Sequence, residues 1–215
     1  MTLIRQIPLL HVKFQLANNE SWIDNIKYEQ AGSLTGFPNR PNAGNGLLSA
    51  MSALPGAPLG TSTLVVTEVV GGITRYAVVS PDGTPLGIGQ VGVPFAGGGL
   101  RLTLSQGSTP FAVNDGFGLT VLGAPLDLTG IRMDMQVRSS ALRSVVMLYA
   151  STDPAVGGLV NHGVQGIVGI DVPRLSVQEL EAGDYVMDIL ASDGSTRRRI
   201  VTGEIDMQLG STRLA

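Results

Sequence analysis

The side chains that do chemistry most readily are few here and far apart. His11 and His162 are the two histidines of the 215-residue chain, and there is no cysteine. That excludes a thiolate nucleophile, a disulfide framework and a cysteine zinc site. A His-based metal centre or a Ser-His-Asp triad is left without most of its parts. His162 lies in GGLVNHG, with no carboxylate or serine pattern beside it, and reads as a loop residue. Asp-Gly pairs recur at Asp82, Asp115 and Asp193. A calcium loop needs several oxygen ligands at fixed spacing, which none of the three has, so all three read as hairpin turns. Gly97-Gly98-Gly99 lacks the Lys-Ser/Thr ending of a phosphate loop. Asp171, Asp184 and Asp188 fall in or near expected strands. A carboxylate pair for glycoside hydrolysis stays open on spacing, but nothing selects a pair, and 5% aromatic residues is low for a sugar-cleaving groove. No catalytic, cofactor-binding or metal-ligating residue is assigned, no cofactor is expected, and the chain reads as a non-enzyme.

The elements that would have to position such groups are strands. IRMDMQVR alternates strictly, with Ile131, Met133, Met135 and Val137 facing one way and Arg132, Asp134, Gln136 and Arg138 the other. DYVMDILAS alternates likewise, and Ser192-Asp193-Gly194 turns it into RRRIVTGEIDMQL. Arg197, Arg198 and Arg199 then place at most two guanidinium groups on one face, a hairpin edge or an ion-pair site for a neighbouring subunit. SVVMLYA and GIVGIDV read as buried strands. LSVQELEAGD carries a capping box, Ser176 to Glu179, and predicts one short helix near 176–182. Residues 12–28 read as strand, turn and strand, with Trp22 in the core. Residues 61–122 read as short strands with turn signals every few residues. Between them, 31–60 is broken by Gly and Pro and reads as a linker or arm, in which LLSAMSAL could make two helical turns.

Charge narrows the partners. Lys+Arg is 14 against Asp+Glu 17, so the chain has no electrostatic footprint for nucleic acid or anionic lipid. No apolar run approaches the ~18–20 residues of a spanning helix. MTLIRQIPLL lacks the pattern of a signal peptide, so a soluble chain made in a cytoplasm is expected. Charged residues are only 14%, against about 25% in an average domain. Low charge with a mean hydropathy of +0.25 suits a chain that buries surface against others in a permanent assembly.

The last block carries a pattern: Leu126-Asp127-Leu128-Thr129-Gly130, YASTD, then Leu180-x-x-Gly183-Asp184-Tyr185-Val186-x-Asp188-Ile189, an Asp-Gly turn, VTGEI and a closing Gly210-Ser211-Thr212-Arg213. Over about 90 residues it resembles a β module of tailed-phage virion proteins, similar to the N-terminal module of phage baseplate upper proteins. The opening strand pair that accompanies it resembles VKFQLANNESWIDNIKYE, almost 100 residues upstream. A second set, Asn42-Ala43-Gly44-Asn45-Gly46, Pro81-Asp82-Gly83 and Pro110-Phe111-x-x-Asn114-Asp115-x-Phe117, resembles a phage head-decoration β module. There Asn114 stands in for Gly at a positive φ.

The resemblance implies a mainly β chain of two sandwich- or barrel-like modules, the second inserted into the first. Residues 1–32 plus 124–215 form the anchoring module, and 33–123 the inserted one with an arm at 33–60. It implies a structural component of a tailed-phage particle, a tail or baseplate adaptor, or alternatively a capsid-decoration protein. The location would be the virion, and the partners copies of itself, as a trimer, and other virion proteins, with no nucleic acid and no membrane. A further alternative is a carbohydrate- or receptor-binding module of a virion reading a host glycan, for which Tyr76, Phe95, Phe111 and Phe117 are the candidate readers, although their places in alternating strands point to the core instead.

Overall fold

The computed structural model describes Ile4, residues 7–140 and residues 145–210. The protein is mainly β, and it divides into two compact units, Met1–Tyr28 with Pro125–Ala215, and Glu29–Ala124. In chain order the strands are β1 (Leu10–Ala17), β2 (Trp22–Lys27), β3 (Glu29–Pro38), β4 (Leu47–Ala53), β5 (Gly60–Val70), β6 (Ile73–Val79), β7 (Pro85–Gln90), β8 (Phe95–Gly97), β9 (Leu100–Ser105) and β10 (Gly116–Pro125). There follow β11 (Arg132–Arg138), β12 (Leu148–Ser151), β13 (Leu159–Asn161), β14 (Ile167–Val172), α1 (Arg174–Val177), β15 (Gly183–Ser192) and β16 (Arg197–Gln208).

The larger unit has a five-stranded sheet in the order β1-β16-β15-β11-β12 and a three-stranded sheet β13-β14-β2. The first sheet is antiparallel except that β1 runs parallel to β16. Alternation dictates what each strand buries. Met133, Met135 and Val137 of β11, with Tyr185, Met187 and Ile189 of β15, enter the core, where they meet Trp22 and Ile26 of β2 and Val168, Ile170 and Val172 of β14. Phe14 of β1 stands edge-on to Trp22, the ring centres 5.2 Å apart.

In β16 the alternation is interrupted. Ile189 faces Val201 while Leu190 faces Arg199, so Ile200 is an extra residue and forms a β-bulge. Ile200 and Val201 are therefore both buried in sequence. The buried carbonyl of the extra residue also takes a donor from outside its own sheet. The Tyr28 hydroxyl is that donor, bonding the Ile200 carbonyl oxygen at 3.0 Å. Burial pushes the Tyr28 pKa up, which keeps the proton on the donor. Replacing Tyr28 with Phe keeps the ring but removes that buried hydrogen bond. The expected cost is about 1–3 kcal/mol, read as a lower denaturant midpoint at unchanged slope by Trp22 fluorescence. An unchanged midpoint would show that the bulge needs no donor. The Tyr28 backbone is tied as well: its N–H donates to the Gly166 carbonyl at 2.7 Å, and its carbonyl accepts the Leu126 N–H at 3.0 Å.

The smaller unit has a five-stranded sheet β3-β10-β5-β6-β7 and a three-stranded sheet β4-β9-β8. Its own core holds Leu64, Val66, Tyr76, Val78, Phe95, Leu100, Leu102, Leu104, Phe111, Phe117, Leu119 and Val121.

Four sequence expectations need correction. Residues 33–60 are not an arm: β3 and β4 are strands of the two sheets. Leu47–Leu54 is not helical. β4 has a bulge between Ser49 and Ser52, with Ala50 at φ 48°, so the half-buried Leu48 and Met51 fall three residues apart and imitate a helix period. The helix is four residues, Arg174–Val177, and starts directly after Pro173, with no side-chain cap. Ser176 lies inside it, so no capping box forms, and Leu180 is buried in the turn that follows. The apolar run through residue 150 is not a buried strand: Val145, Val146 and Met147 precede the edge strand β12 and are exposed, as is Tyr149 within it. The closing Ser211–Arg213 and most of the first six residues lie outside the described residues.

Candidate functional site on the polar face of the five-stranded sheet

The outward face of the five-stranded sheet is rich in charged side chains. The register sets it out in rows across the strands. Gln15, Asp206 and Asp184 form the first row, and Lys13, Glu204, Val186 and Arg138 the second. His11, Thr202, Asp188, Gln136 and Tyr149 form the third, and Arg199, Leu190, Asp134 and Ser151 the fourth. Arg197, Ser192 and Arg132 complete it. A groove of about 620 Å³ crosses this face beside His11, Lys13, Arg138, Asp188, Arg199 and Glu204.

Asp134 is the most engaged residue. Its carboxylate is buried and accepts the Tyr149 and Ser151 hydroxyls, each at 2.7 Å, and the Arg132 guanidinium at 3.3 Å on one oxygen. Arg197 reaches the other oxygen at 3.4 Å. Arg132 also pairs with Asp153 at 3.5 Å. Burial pushes the Asp134 carboxyl up, but the hydroxyl bonds and Arg132 outweigh it and hold the group below the usual carboxylate range. Asp188 sits between two cations, Arg199 at 3.2 Å and Arg138 at 3.6 Å. Lys13 and Glu204 pair at 3.7 Å, and the Thr202 hydroxyl meets His11 Nδ1 at 2.7 Å.

These contacts occupy the carboxylates Asp134, Asp188 and Glu204 of this face. A carboxylate held ionised between guanidinium groups is a poor general acid. Asp184 is exposed at one end of β15, Asp188 is ion-paired, and Asp171 is exposed in the other sheet, so the three aspartates do not converge. His162 stands at the start of a one-turn 3-10 segment, Gly163–Gln165. Among the described residues no group of three or more His, Asp or Glu side chains could hold a metal ion. Arg197 and Arg199 share one face, but their partners are Asp134 and Asp188 of the same chain.

Two of the three Asp-Gly pairs are hairpin turns. Gly83 and Gly194 have φ of 88° and 89°, and Asp82 and Asp193 accept N–H groups within their turns. Asp115 does other work. Its buried carboxylate accepts the backbone N–H of Ala43 at 2.8 Å, Gly44 at 2.9 Å and Ala112 at 3.0 Å. Burial pushes this carboxyl up, and the three N–H bonds more than offset it, so it too lies below its usual range. Asn42 brackets the Gly116 peptide, accepting its N–H and donating to its carbonyl. Asn45 accepts the Thr109 N–H at 2.8 Å. The NAGNG and PFAVND segments are thus fastened to each other. A Cβ on Gly46 would lie 2.3 Å from the Phe111 ring, which is why the position has none. Asn114 sits at φ 78°.

The four aromatic candidates for glycan contact, Tyr76, Phe95, Phe111 and Phe117, are all in the core. Burial pushes the Tyr76 hydroxyl up to about 12. They present no aromatic surface to a sugar, and the glycan-reading alternative is corrected on that ground. No helix among the described residues is long and apolar enough to cross a membrane.

No protein-family model matches the chain, and no curated protein matches it. Matching solved structures include the FlgL crystal structure from Xanthomonas campestris, at 20% identity over 48% of this chain and 32% of that one, with a TM-score of 0.35. The flagellar junction protein FlgL from Legionella pneumophila matches at 13% identity over 51% and 37%, TM-score 0.35. The flagellar hook associated protein-3 from the same organism matches at 13% over 51% and 34%, TM-score 0.36. The chain spans about a third of the length of these proteins, and a likeness this low carries no argument about its own fold or role.

They are flagellar proteins and not phage proteins, and the tailed-phage reading is corrected accordingly. With it go the tail, baseplate and capsid-decoration roles, the virion location and the virion partners. The residues behind that resemblance explain the error. Asp127 caps its own turn by accepting the Thr129 N–H at 2.9 Å, Asp82 and Asp193 do the same, and Asp115 fastens a loop. Such residues mark β-turns in any fold.

Proposed function

We propose that the chain is a non-enzymatic assembly module that works by contact with other protein chains. The supporting observation is apolar surface grouped where a partner strand or loop would meet it. The tip of the β5–β6 hairpin exposes Val69, Val70 and Ile73, with Val70 65% exposed. The segment that leads into the edge strand β12 exposes Val145, Val146 and Met147. Consecutive apolar side chains at a hairpin tip and beside an open sheet edge are sites that proteins ordinarily cover. The polar clusters add support from the other side, since their carboxylates are occupied in holding strands and loops together. The trimer expected from the phage resemblance loses its ground with that resemblance.

The test is site-specific photo-crosslinking in the cell that makes the protein, with the photoreactive residue at position 70 or 147. Adducts to another polypeptide are expected at both. Only the uncrosslinked chain at either site, together with turnover of a small molecule by the purified protein, would overturn the reading.

A further inference from the structure

The bulge in β16 has a second effect. Without it, Arg197 and Arg199 would face opposite to Thr202, Glu204 and Asp206, because odd and even positions alternate. With Ile200 as the extra residue, all five share the outward face. This strand is thus basic in its first half and acidic in its second, with Thr202 at the change. The neighbouring strands are mixed: Arg132 of β11 lies at the basic end and Asp184 of β15 at the acidic end, while Lys13 and Arg138 share the row of Glu204 and Asp134 that of Arg199, so the polarity belongs to β16.

We infer that this face pairs with the same face of a second copy, about a two-fold axis running across the strands near Thr202. The inference rests on the assembly reading above and names its partner. Such an axis reverses direction along β16, so Asp206 meets Arg197 of the other copy and Glu204 meets its Arg199, twice over by symmetry. The side chains can reach out: Arg197 is 55% exposed and Glu204 73%. The area also suits. Five strands at about 4.8 Å spacing and about 30 Å of β16 give roughly 700 Å² per copy, near the ~800 Å² per partner of a stable interface. Attraction between half-exposed charges makes the pairing sensitive to salt.

Sedimentation of the full chain tests it. At about 50 mM salt a dimer is expected, and its dissociation constant should rise about tenfold or more by about 500 mM. The E204K/D206K variant changes two side chains that no core contact needs, and it should be a folded monomer by thermal melt. R197E/R199E should also be monomeric. Mixed one to one, the two carry wholly basic and wholly acidic strands and should form a heterodimer. A wild-type monomer at about 100 μM in low salt overturns the pairing, as does a dimer that E204K/D206K leaves intact. Because photo-crosslinking reads any partner and sedimentation only a second copy, a monomer that still crosslinks to other polypeptides overturns this pairing alone.

Discussion

Replacing Asp134 with Ala is expected to destabilise the larger unit by about 2–3 kcal/mol. Removing one partner from a buried ionic network typically costs about 3–5 kcal/mol, since it strands the remaining charges. Here the stranded cations are partly in water, Arg132 at 52% and Arg197 at 55% exposed, so the figure is reduced. What cannot be hydrated is the hydroxyl of Ser151, which is fully buried, whereas that of the exposed Tyr149 can turn to water. D134N keeps an acceptor for one hydroxyl and should recover part of the loss. The measurement is chemical denaturation followed by the fluorescence of Trp22, which lies in the core of the same unit. The folded-state pKa is depressed, so the contribution is complete above the unfolded value, about 3.9, and disappears as pH falls through the folded value. Wild type should therefore lose its advantage over D134A in acid. A D134A midpoint equal to wild type at neutral pH would show that the network contributes no net stability.

Asp115 to Ala is expected to cost the smaller unit about 3 kcal/mol. Three backbone N–H groups lose their acceptor at once, at about 1–3 kcal/mol for each that stays buried. Gly44 is the most deeply placed of the donors, while Ala43 and Ala112 gain water on release. The loss should concentrate where the NAGNG segment meets the loop before β10. Trp22 belongs to the other unit, so its fluorescence should be blind to the change. Hydrogen exchange is the suitable readout, with protection falling for 42–46 and 109–116 and unchanged for β15. The sign with pH matches that of Asp134: stability of the smaller unit should fall as pH drops below about 4, and D115N should flatten that dependence. Unchanged exchange at 42–46 in D115A would remove the fastening role.

Much of the β layout was legible because alternation survives burial on one face. Met133, Met135 and Val137 face in and Arg132, Asp134, Gln136 and Arg138 face out, as the pattern of IRMDMQVR dictates. What alternation hides is its own interruption. The bulge at Ile200 turns three consecutive arginines and an acidic stretch into one face, and nothing in RRRIVTGEID marks the extra residue. The bulge between Ser49 and Ser52 made a strand look helical. The run through Tyr149 misled for a different reason: apolar residues without alternation fit a buried strand and an open edge equally. Asp115 was read as half of a turn because the sequence shows its glycine neighbour, whereas its partners at 43 and 44 lie some 70 residues away.

The hydrogen bond from Leu126 to Tyr28 has a bearing on the order of folding. Closing a disordered loop of almost a hundred residues costs about 4 kcal/mol in chain entropy. β3 and β10, the first and last strands of the intervening unit, are neighbours in one sheet. Once that unit has collapsed, the two ends of the loop are already held close, and most of the entropy has been lost before Tyr28 and Leu126 meet. The inserted segment therefore acts as its neighbour's template in time: whatever delays its collapse also delays the last joining of the larger unit, even where the two are equally stable at equilibrium.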